Sequence, residues 1–200
     1  MDLARARLYF VTQAIPGERL EAALAGGVDM LQLRLKNAAD DEIVAAARSF
    51  RELCDRHGAL FILNDRPDLV DACRADGVHV GQEDASPAAA RAAVGADRII
   101  GLSTHSQAQI EAANEQPVDY VAVGPVFQTP TKPGRLPVGL ELVRFAAERV
   151  GLPWFAIGGI DVERAADVVR AGARRLAVVR AIRDAPDPGE AARALKALLS

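Results

Sequence analysis

Residues 61–84 contain two apolar runs that each lead into acidic side chains: Phe61-Ile62-Leu63-Asn64-Asp65 and Val78-His79-Val80-Gly81-Gln82-Glu83-Asp84. Short runs of this kind, rich in Ile, Leu, Val and Phe, are typical of buried parallel strands. The same pattern continues in both directions along the chain. It predicts strands at 8–12, 29–35, 59–63, 77–80, 98–102, 119–123, 154–157 and 175–179.

A helical pattern follows each predicted strand, at 16–25, 40–57, 66–74, 86–94, 106–116, 139–150, 161–171 and 187–199. Eight strand–helix units predict an α/β protein, a single-domain (β/α)8 TIM barrel over residues 1–200. A doubly wound open sheet is the competing architecture. That fold usually carries a glycine-rich fingerprint after its first strand, where this chain has Thr12-Gln13-Ala14-Ile15-Pro16.

Composition excludes several classes of protein. Half of the 200 residues are hydrophobic and only 4% are aromatic, so Ala, Val, Leu and Ile must form most of the core. The net charge is −3 with no basic block, which argues against nucleic acid or a membrane surface as a partner. Cys54 and Cys73 do not form a CxxC pair, and no signal-peptide pattern opens the sequence, so we expect buried thiols and a cytoplasmic location.

Polar side chains alternate with leucines along the second predicted strand. Gln32, Arg34 and Lys36 share one face, and two buried cations need a compensating anion. One interpretation is a clamp for phosphate oxygens, with a forked guanidinium contact from Arg34 and a point charge from Lys36. The alternative is a structural ion pair with Asp65 or Asp84.

The acidic residues after strands three and four suggest a metal site. Asp65 and Asp84, with water and diphosphate oxygens, would suit Mg²⁺. The alternative for Asp65 is a cap on the following helix. Ser86 already fits the cap of the helix after strand four, and spacing alone does not distinguish Glu83 from Asp84 as the ligand.

Polar or glycine residues also follow the later strands, at the end of a barrel where functional groups gather. Ser103 could donate to a phosphate or cap a helix, although Ser106 is the better cap. The loop at 124–135 carries three prolines, and Thr129, Thr131 and Lys132 favour a phosphate-contacting lid. Strand seven ends in Gly158-Gly159, and the loops after strands seven and eight are where such barrels commonly hold a phosphate group. The alternative is a tight turn. The residues therefore predict two anion sites, one metal-linked near strands two to four and one metal-free near strands six to eight.

This set of motifs resembles the thiamine-phosphate synthase family, and the motifs occur in the family's order over almost the whole chain. They are Gln32-Leu33-Arg34-Leu35-Lys36, Asn64-Asp65-Arg66, Gly77-Val78-His79-Val80-Gly81-Gln82-Glu83-Asp84, Gly101-Leu102-Ser103-Thr104-His105, Gly124-Pro125-Val126-Phe127-Gln128-Thr129-Pro130-Thr131-Lys132-Pro133-Gly134, Ala156-Ile157-Gly158-Gly159-Ile160 and Val178-Val179-Arg180-Ala181-Ile182.

The resemblance implies a (β/α)8 fold and a Mg²⁺-dependent transferase of thiamine biosynthesis. Its substrates would be 4-amino-2-methyl-5-(diphosphomethyl)pyrimidine and a thiazole phosphate, and a pyrimidine cation would form as diphosphate leaves. The resemblance implies that the pyrimidine diphosphate would be bound by Gln32, Arg34, Lys36, Asn64, Ser103 and Lys132. Four of these residues would also assist catalysis: Arg34, Lys36, Ser103 and Lys132. Asp65 and Asp84 would bind Mg²⁺. The implied thiazole phosphate residues are Thr129, Thr131, Gly159, Val179 and Arg180.

Two positions depart from the family pattern. Leu35 replaces an acidic residue, and strand alternation places it away from the clamp. Arg180 replaces a small hydroxyl residue, so it could add a phosphate contact or crowd the site. Two rival functions remain at this stage: a thiazole tautomerase of the same fold, and a non-catalytic phosphate-binding barrel.

Overall fold

Eight parallel strands close into a barrel in the order in which they occur along the chain. The structure is a computed structural model that describes residues 2–130, 134 and 136–199. The strands are β1 Leu8–Thr12, β2 Met30–Leu33, β3 Leu60–Asn64, β4 Gly77–Val80, β5 Ile99–Thr104, β6 Tyr120–Val123, β7 Trp154–Ile157 and β8 Leu176–Val178. β1 also pairs with β8, which closes the sheet. The predicted (β/α)8 fold is therefore confirmed.

Helices surround the strands and follow most of the predicted ranges. They are α1 Gly17–Ala25, α2 Asp40–His57, α3 Pro87–Val94, α4 Gln107–Ala113, α5 Gly139–Arg149, α6 Val162–Arg170, α7 Arg180–Arg183 and α8 Pro188–Ala197. Ser86 and Ser106 accept hydrogen bonds from the backbone amides of Ala89 and Gln109, as their predicted capping roles require. The short α7 was not predicted. None of the described helices is long and apolar enough to cross a bilayer.

The predicted α-helix at 66–74 was wrong. Only a 3₁₀ turn, Pro67–Leu69, forms there, followed by further turns. Asp65 and Arg74 both have left-handed backbone conformations, with φ of 60° and 52°, and they bound the segment on its two sides. The amide of Val70 bonds the carbonyl of Pro67 at 3.4 Å, an i to i+3 contact. The segment is too short and too tightly turned to build an α-helix before β4 begins.

Strand alternation divides the apolar residues into two cores. One set fills the inside of the barrel: Tyr9, Val11, Met30, Leu60, Ile62, Tyr120, Phe155 and Ala177, with Ala6 beneath them. The other set, which includes Leu31, Leu33, Phe61 and Leu63, packs between the sheet and the helices. Side chains of the inner set therefore continue upward into the polar residues at the strand ends.

Candidate active site

A cavity of about 410 Å³ opens at the carboxyl ends of the strands. Its lining contains every predicted site residue that lies within the described residues: Gln32, Arg34, Lys36, Asn64, Asp65, Asp84, Ser103, Thr129, Gly159, Val179 and Arg180. Thr131 and Lys132 lie outside the described residues. Residues of both predicted anion sites thus line one cavity, whose size suits small-molecule ligands.

The polar face of strand two points into this cavity. Gln32 is buried on β2, and its amide donates a hydrogen bond to the Tyr9 hydroxyl. Arg34 and Lys36 follow β2, and the Arg34 amide still pairs with the Thr12 carbonyl at 2.8 Å, which extends the strand-like course. Leu35 packs against the outer core. The predicted alternation is therefore present, and Leu35 lies away from the clamp.

Lys36 and Asp65 form an ion pair at the cavity mouth, with Nζ 3.6 Å from Oδ2. This is one of the structural pairs that the sequence left open, and it lies among the residues of the predicted clamp. Asp65 does not cap the following turn, which has no side-chain cap. Its left-handed backbone is tolerated by aspartate better than by most residues and recurs at functional sites.

Asp84 is held by the turn that follows β4. Its Oδ2 accepts a hydrogen bond from the Gly81 amide at 2.9 Å. The turn thus gives Asp84 a structural contact that the sequence did not reveal, and Gln82 also has one, donating to the Ser103 carbonyl at 2.7 Å. Asp84 lines the cavity, whereas Glu83 is not among the lining residues. The geometry therefore favours Asp84 over its neighbour as the acid of the site.

Asp84 affects the ionisation of Asp65. Burial raises the pKa of Asp65, and the nearby Asp84 raises it further, while Lys36 and Asn64 act in the opposite direction. A carboxyl group whose ionisation is opposed by burial and by a second carboxylate belongs to a donor set that a cation would stabilise.

A magnesium ion fits this donor set. Across residues 2–130, 134 and 136–199, no group of three or more His, Cys, Asp or Glu side chains could hold a metal ion. Magnesium does not require such a group, since it commonly takes one or two carboxylates and completes its coordination with water and substrate phosphate oxygens. Asp65 and Asp84 are the side chains that would bind it here.

Ser103 lies on β5 and lines the same cavity as Arg34 and Lys36. It is 7% exposed, and its Oγ lies 2.9 Å from His79 Nε2. The neighbouring His105 hydrogen-bonds through Nδ1 to the Gly124 carbonyl, and its backbone amide bonds the Gln109 side chain. These contacts give His105 a structural role at the start of the loop after β6.

The loop after β6 is fastened to the end of β7. The amides of Val126 and Phe127 each donate at 2.9 Å, to the carbonyls of Ile157 and Gly158 respectively. Gly159 has φ of 66°, and a Cβ there would lie 2.8 Å from both the Gln128 carbonyl oxygen and the Phe127 Cβ. Only glycine suits that position, which brings the loop and Thr129 against the cavity.

Val179 and Arg180 form the last part of the cavity wall. Val179 directly follows β8 as the N-cap of α7, and Arg180 begins α7 with an exposed side chain. Arg180 and Asp184 both line the cavity, and Asp184 also pairs with Arg183 at 2.6 Å. The arginine that departs from the family pattern is therefore at the cavity, at its exposed rim.

Sequence reasoning assigned no role to three residues beneath the cavity: Tyr9, His79 and Tyr120. Tyr9 and His79 line the cavity, and the Tyr120 hydroxyl lies within hydrogen-bond distance of both. The signal that could have found them is strand parity, because each lies on the inward face together with the polar residues further along the sheet.

Comparison with known proteins identifies the family to which this architecture and this cavity belong. Residues 8–182 match the family model described as thiamine monophosphate synthase. The chain belongs to the thiamine monophosphate synthase family. A solved member of the family, thiamine phosphate pyrophosphorylase from Pyrococcus furiosus, superposes with a TM-score of 0.90 at 33% identity, covering 98% of this chain and 96% of that one.

Curated relatives in the thiamine monophosphate synthase family are more similar in sequence. The thiamine-phosphate synthase of Acidothermus cellulolyticus is 50% identical over 207 residues, an alignment that covers 100% of this chain and 97% of that protein. The thiamine-phosphate synthase of Nostoc punctiforme is 50% identical over 190 residues, which is 93% of this chain and 54% of that protein. The chain thus spans about half the length of some relatives and nearly all of others.

Proposed function

We propose that the chain is a thiamine-phosphate synthase, a transferase that joins 4-amino-2-methyl-5-(diphosphomethyl)pyrimidine to a thiazole phosphate and releases diphosphate. The observation that carries the proposal is the joint lining of one cavity by a cation pair and two carboxylates on one side and a glycine-containing loop on the other. Two phosphorylated reactants that must meet need such a shared space. With the carboxylated thiazole, carbon dioxide would leave as well.

The pyrimidine diphosphate would bind on the side of β2 to β5. Arg34 and Lys36 supply positive charge for the diphosphate oxygens, and Asn64 and Ser103 supply neutral hydrogen-bonding groups. Gln32 lies deeper than these residues, where its amide would meet the ring rather than the diphosphate.

The thiazole phosphate would bind on the side of β6 to β8. Thr129 would supply a hydroxyl, and Gly159 and Val179, which also line the cavity, would supply backbone amides. Arg180 adds a cation at the rim. Thr131 stays a prediction for this side of the site, and Lys132 stays a prediction for the pyrimidine diphosphate.

Asp65 and Asp84 would hold Mg²⁺, which when bound supplies positive charge against the diphosphate. The residues of this chain contribute the rest. Arg34 and Lys36 stabilise the negative charge that grows on the diphosphate as the bond to the pyrimidine methylene breaks. Both electrons of that bond leave with the diphosphate oxygen.

The thiazole nitrogen then donates its lone pair to the methylene cation, which the electron-rich aminopyrimidine stabilises. Such a reaction needs no protein nucleophile. Ser103 does contact His79, but Nδ1 of that histidine faces the Tyr120 hydroxyl, where a Ser–His–acid triad would place a carboxylate. What the protein must supply is placement of two reactants and compensation of charge.

One assay separates this proposal from its rivals. Purified protein is mixed with the pyrimidine diphosphate and the thiazole phosphate, with and without Mg²⁺, and thiamine phosphate is measured. Formation that depends on Mg²⁺ supports the proposal. A thiazole tautomerase would aromatise its thiazole precursor without using the pyrimidine diphosphate, and a binding protein would retain thiazole phosphate without turnover; either result would replace the proposal.

The remaining partners and the location follow from the proposal. Its partners are small phosphorylated molecules, and no partner of nucleic acid or membrane type is proposed. A cytoplasmic location is supported by Cys54 and Cys73, which are buried free thiols.

A further inference from the structure

A chain of hydrogen bonds crosses the inside of the barrel beneath the cavity. The Gln32 amide contacts the Tyr9 hydroxyl, which lies 2.9 Å from the Tyr120 hydroxyl. The Tyr120 hydroxyl lies 3.0 Å from His79 Nδ1, and His79 Nε2 lies 2.9 Å from Ser103 Oγ. This hydrogen-bond chain therefore connects two of the predicted substrate residues, Gln32 on β2 and Ser103 on β5.

The packing of the barrel interior fixes this chain in place. A Cβ at Gly101 would lie 2.1 Å from Tyr120 Cζ and 2.5 Å from His79 Nδ1, so the glycine leaves the gap in which tyrosine and histidine meet. Phe155 contacts the rings of Tyr9 and Tyr120 edge-on, with centroids 5.3 and 5.6 Å away. The hydroxyls are thus held in position by rings that cannot move without disturbing the core.

Counting the available protons shows which group donates in each bond of this hydrogen-bond chain. The Gln32 amide nitrogen donates to Tyr9, so the single proton of Tyr9 is available for Tyr120. The proton of Tyr120 then goes to His79 Nδ1. A ring nitrogen that accepts leaves the proton of neutral histidine on Nε2, from which it is donated to Ser103 Oγ.

The burial of the two tyrosines supports the same assignment of donors and acceptors. Tyr9 and Tyr120 are fully enclosed, and burial raises the pKa of both hydroxyls, so each keeps its proton at neutral pH. With its oxygen accepting from His79, Ser103 retains its own proton to donate toward the cavity. If the direction were reversed, Ser103 would donate its proton to His79. Only a lone pair of Ser103 Oγ would then face an anionic ligand.

We propose that His79 is a positioning residue, held by Tyr120 as the neutral Nε2–H tautomer, that aims the Ser103 hydroxyl proton at the diphosphate of the substrate. The role of Ser103 toward the diphosphate rests on the proposed function, whereas the donor–acceptor direction of the hydrogen bonds does not. His79 acts through Ser103, and its effect falls on the departure of diphosphate, where negative charge grows.

The direction of the hydrogen-bond chain is tested by nitrogen NMR on the full-length protein, labelled with ¹⁵N-histidine and without substrates. The protein contains three histidines, His57, His79 and His105. The signals of His79 are those that disappear from the spectrum of the His79→Gln variant. We expect Nδ1 of His79 to be unprotonated and Nε2 to be protonated. Finding Nδ1–H in the wild-type protein would overturn the proposal, and this measurement needs no variant other than the one used for assignment.

Two tyrosine variants then test which tyrosine hydroxyl sets the tautomer of His79. Tyr120→Phe removes the donor to Nδ1, so we expect a mixture of tautomers, whereas Tyr9→Phe leaves that donor and the wild-type tautomer. Thr104→Val is the matched control, because it also removes one buried hydroxyl, bonded to the Ala122 carbonyl and outside the cavity lining. An unchanged tautomer in Tyr120→Phe would contradict the proposed direction.

Kinetics test the consequence for the reaction. We expect Tyr120→Phe and His79→Leu to lower kcat about tenfold, the effect of losing one directed hydrogen bond, with a smaller change in KM for the pyrimidine diphosphate. His79→Gln, whose amide N–H can still reach Ser103, should restore part of kcat. Equal losses in the Gln and Leu variants would show a merely structural role. A wild-type protein that forms no thiamine phosphate would defeat the proposed function instead, and the NMR result would stand separately.

Discussion

Lys36 Nζ lies 3.6 Å from Asp65 Oδ2, so a cation of the proposed diphosphate clamp directly faces a proposed ligand of magnesium. The two groups have opposite effects on the site. Lys36 helps to keep Asp65 ionised, whereas Asp84 and burial raise the pKa of Asp65. The charge balance at the cavity mouth therefore depends on three side chains from three neighbouring strand ends.

Replacement of Asp84 tests the carboxylate pair. We expect Asp84→Asn to lower kcat by about 10²–10³-fold, the range seen when one group that stabilises transition-state charge is removed. The asparagine oxygen can still accept from the Gly81 amide, so the turn should remain folded. Glu83→Gln is the matched control, since Glu83 is adjacent and acidic but does not line the cavity. Equal losses in the two variants, measured as thiamine phosphate formed at saturating Mg²⁺, would argue against a specific site at Asp84.

Asp65 should reduce the stability of the metal-free protein. Its pKa in the folded chain is raised, so the folded state holds the proton more tightly than the unfolded state, and ionisation at neutral pH disfavours folding. We expect Asp65→Asn to raise Tm in EDTA at pH 7, and an effect on the order of 1 kcal/mol would correspond to about 2–4 °C. Asparagine also tolerates the left-handed backbone at this position.

The pH dependence of that gain distinguishes charge from backbone effects. The gain should shrink as the pH falls through the raised pKa of Asp65 and vanish below 3.8, the ordinary pKa of aspartate, because Asp65 is then protonated in both states. Asp65→Ala removes the same charge but places a Cβ-bearing residue of lower left-handed preference at φ 60°, so it should be less stable than the asparagine variant. A Tm at neutral pH below that of the wild type for Asp65→Asn would contradict the electrostatic account.

Lys36 should control the acidic limit of activity. Its charge lowers the pKa of Asp65, so Lys36→Met should raise that pKa further, and protons should compete with magnesium at higher pH. We expect the acidic limb of kcat/KM, measured at a fixed subsaturating Mg²⁺ concentration, to move to higher pH. Lys36→Arg keeps the charge and should leave the limb near its wild-type position. A shift to lower pH in Lys36→Met would contradict the ion pair's proposed effect.

Arg180 should contribute modestly to thiazole phosphate binding. Its side chain is exposed at the rim, where a charge contact is worth about 0–1 kcal/mol. We expect Arg180→Ser to raise KM for the thiazole phosphate about two- to fivefold. Arg183→Ser is the control on the same short helix, since Arg183 pairs with Asp184 and does not line the cavity. A lower KM in Arg180→Ser would show that the arginine crowds the site.

The sequence predicted the barrel and one side of the cavity for a simple physical reason. Strand side chains alternate between two faces, so the run from Gln32 to Lys36 revealed its own inward face without knowledge of any partner. The end of β4 was harder. Spacing could not separate Glu83 from Asp84, because the choice depends on a hydrogen bond between Asp84 and the Gly81 amide within an irregular turn.

Long-range contacts were outside the reach of sequence patterns. Tyr9 and Tyr120 are 111 positions apart, and their hydroxyls meet only because the barrel closes. The helix expected at 66–74 failed for the opposite reason, since its apolar pattern was correct but two left-handed residues confine it to turns. Topology and backbone geometry, rather than residue type, decided both cases.

The proposed reaction depends on the binding of magnesium by Asp65 and Asp84 as diphosphate departs. The most direct measurement is the simultaneous quantification of diphosphate and thiamine phosphate from the wild-type protein and from the Asp65→Asn/Asp84→Asn double variant, with Mg²⁺ present. We expect equal amounts of the two products from the wild type and almost none from the double variant. Equal rates of diphosphate release by the two proteins would contradict it.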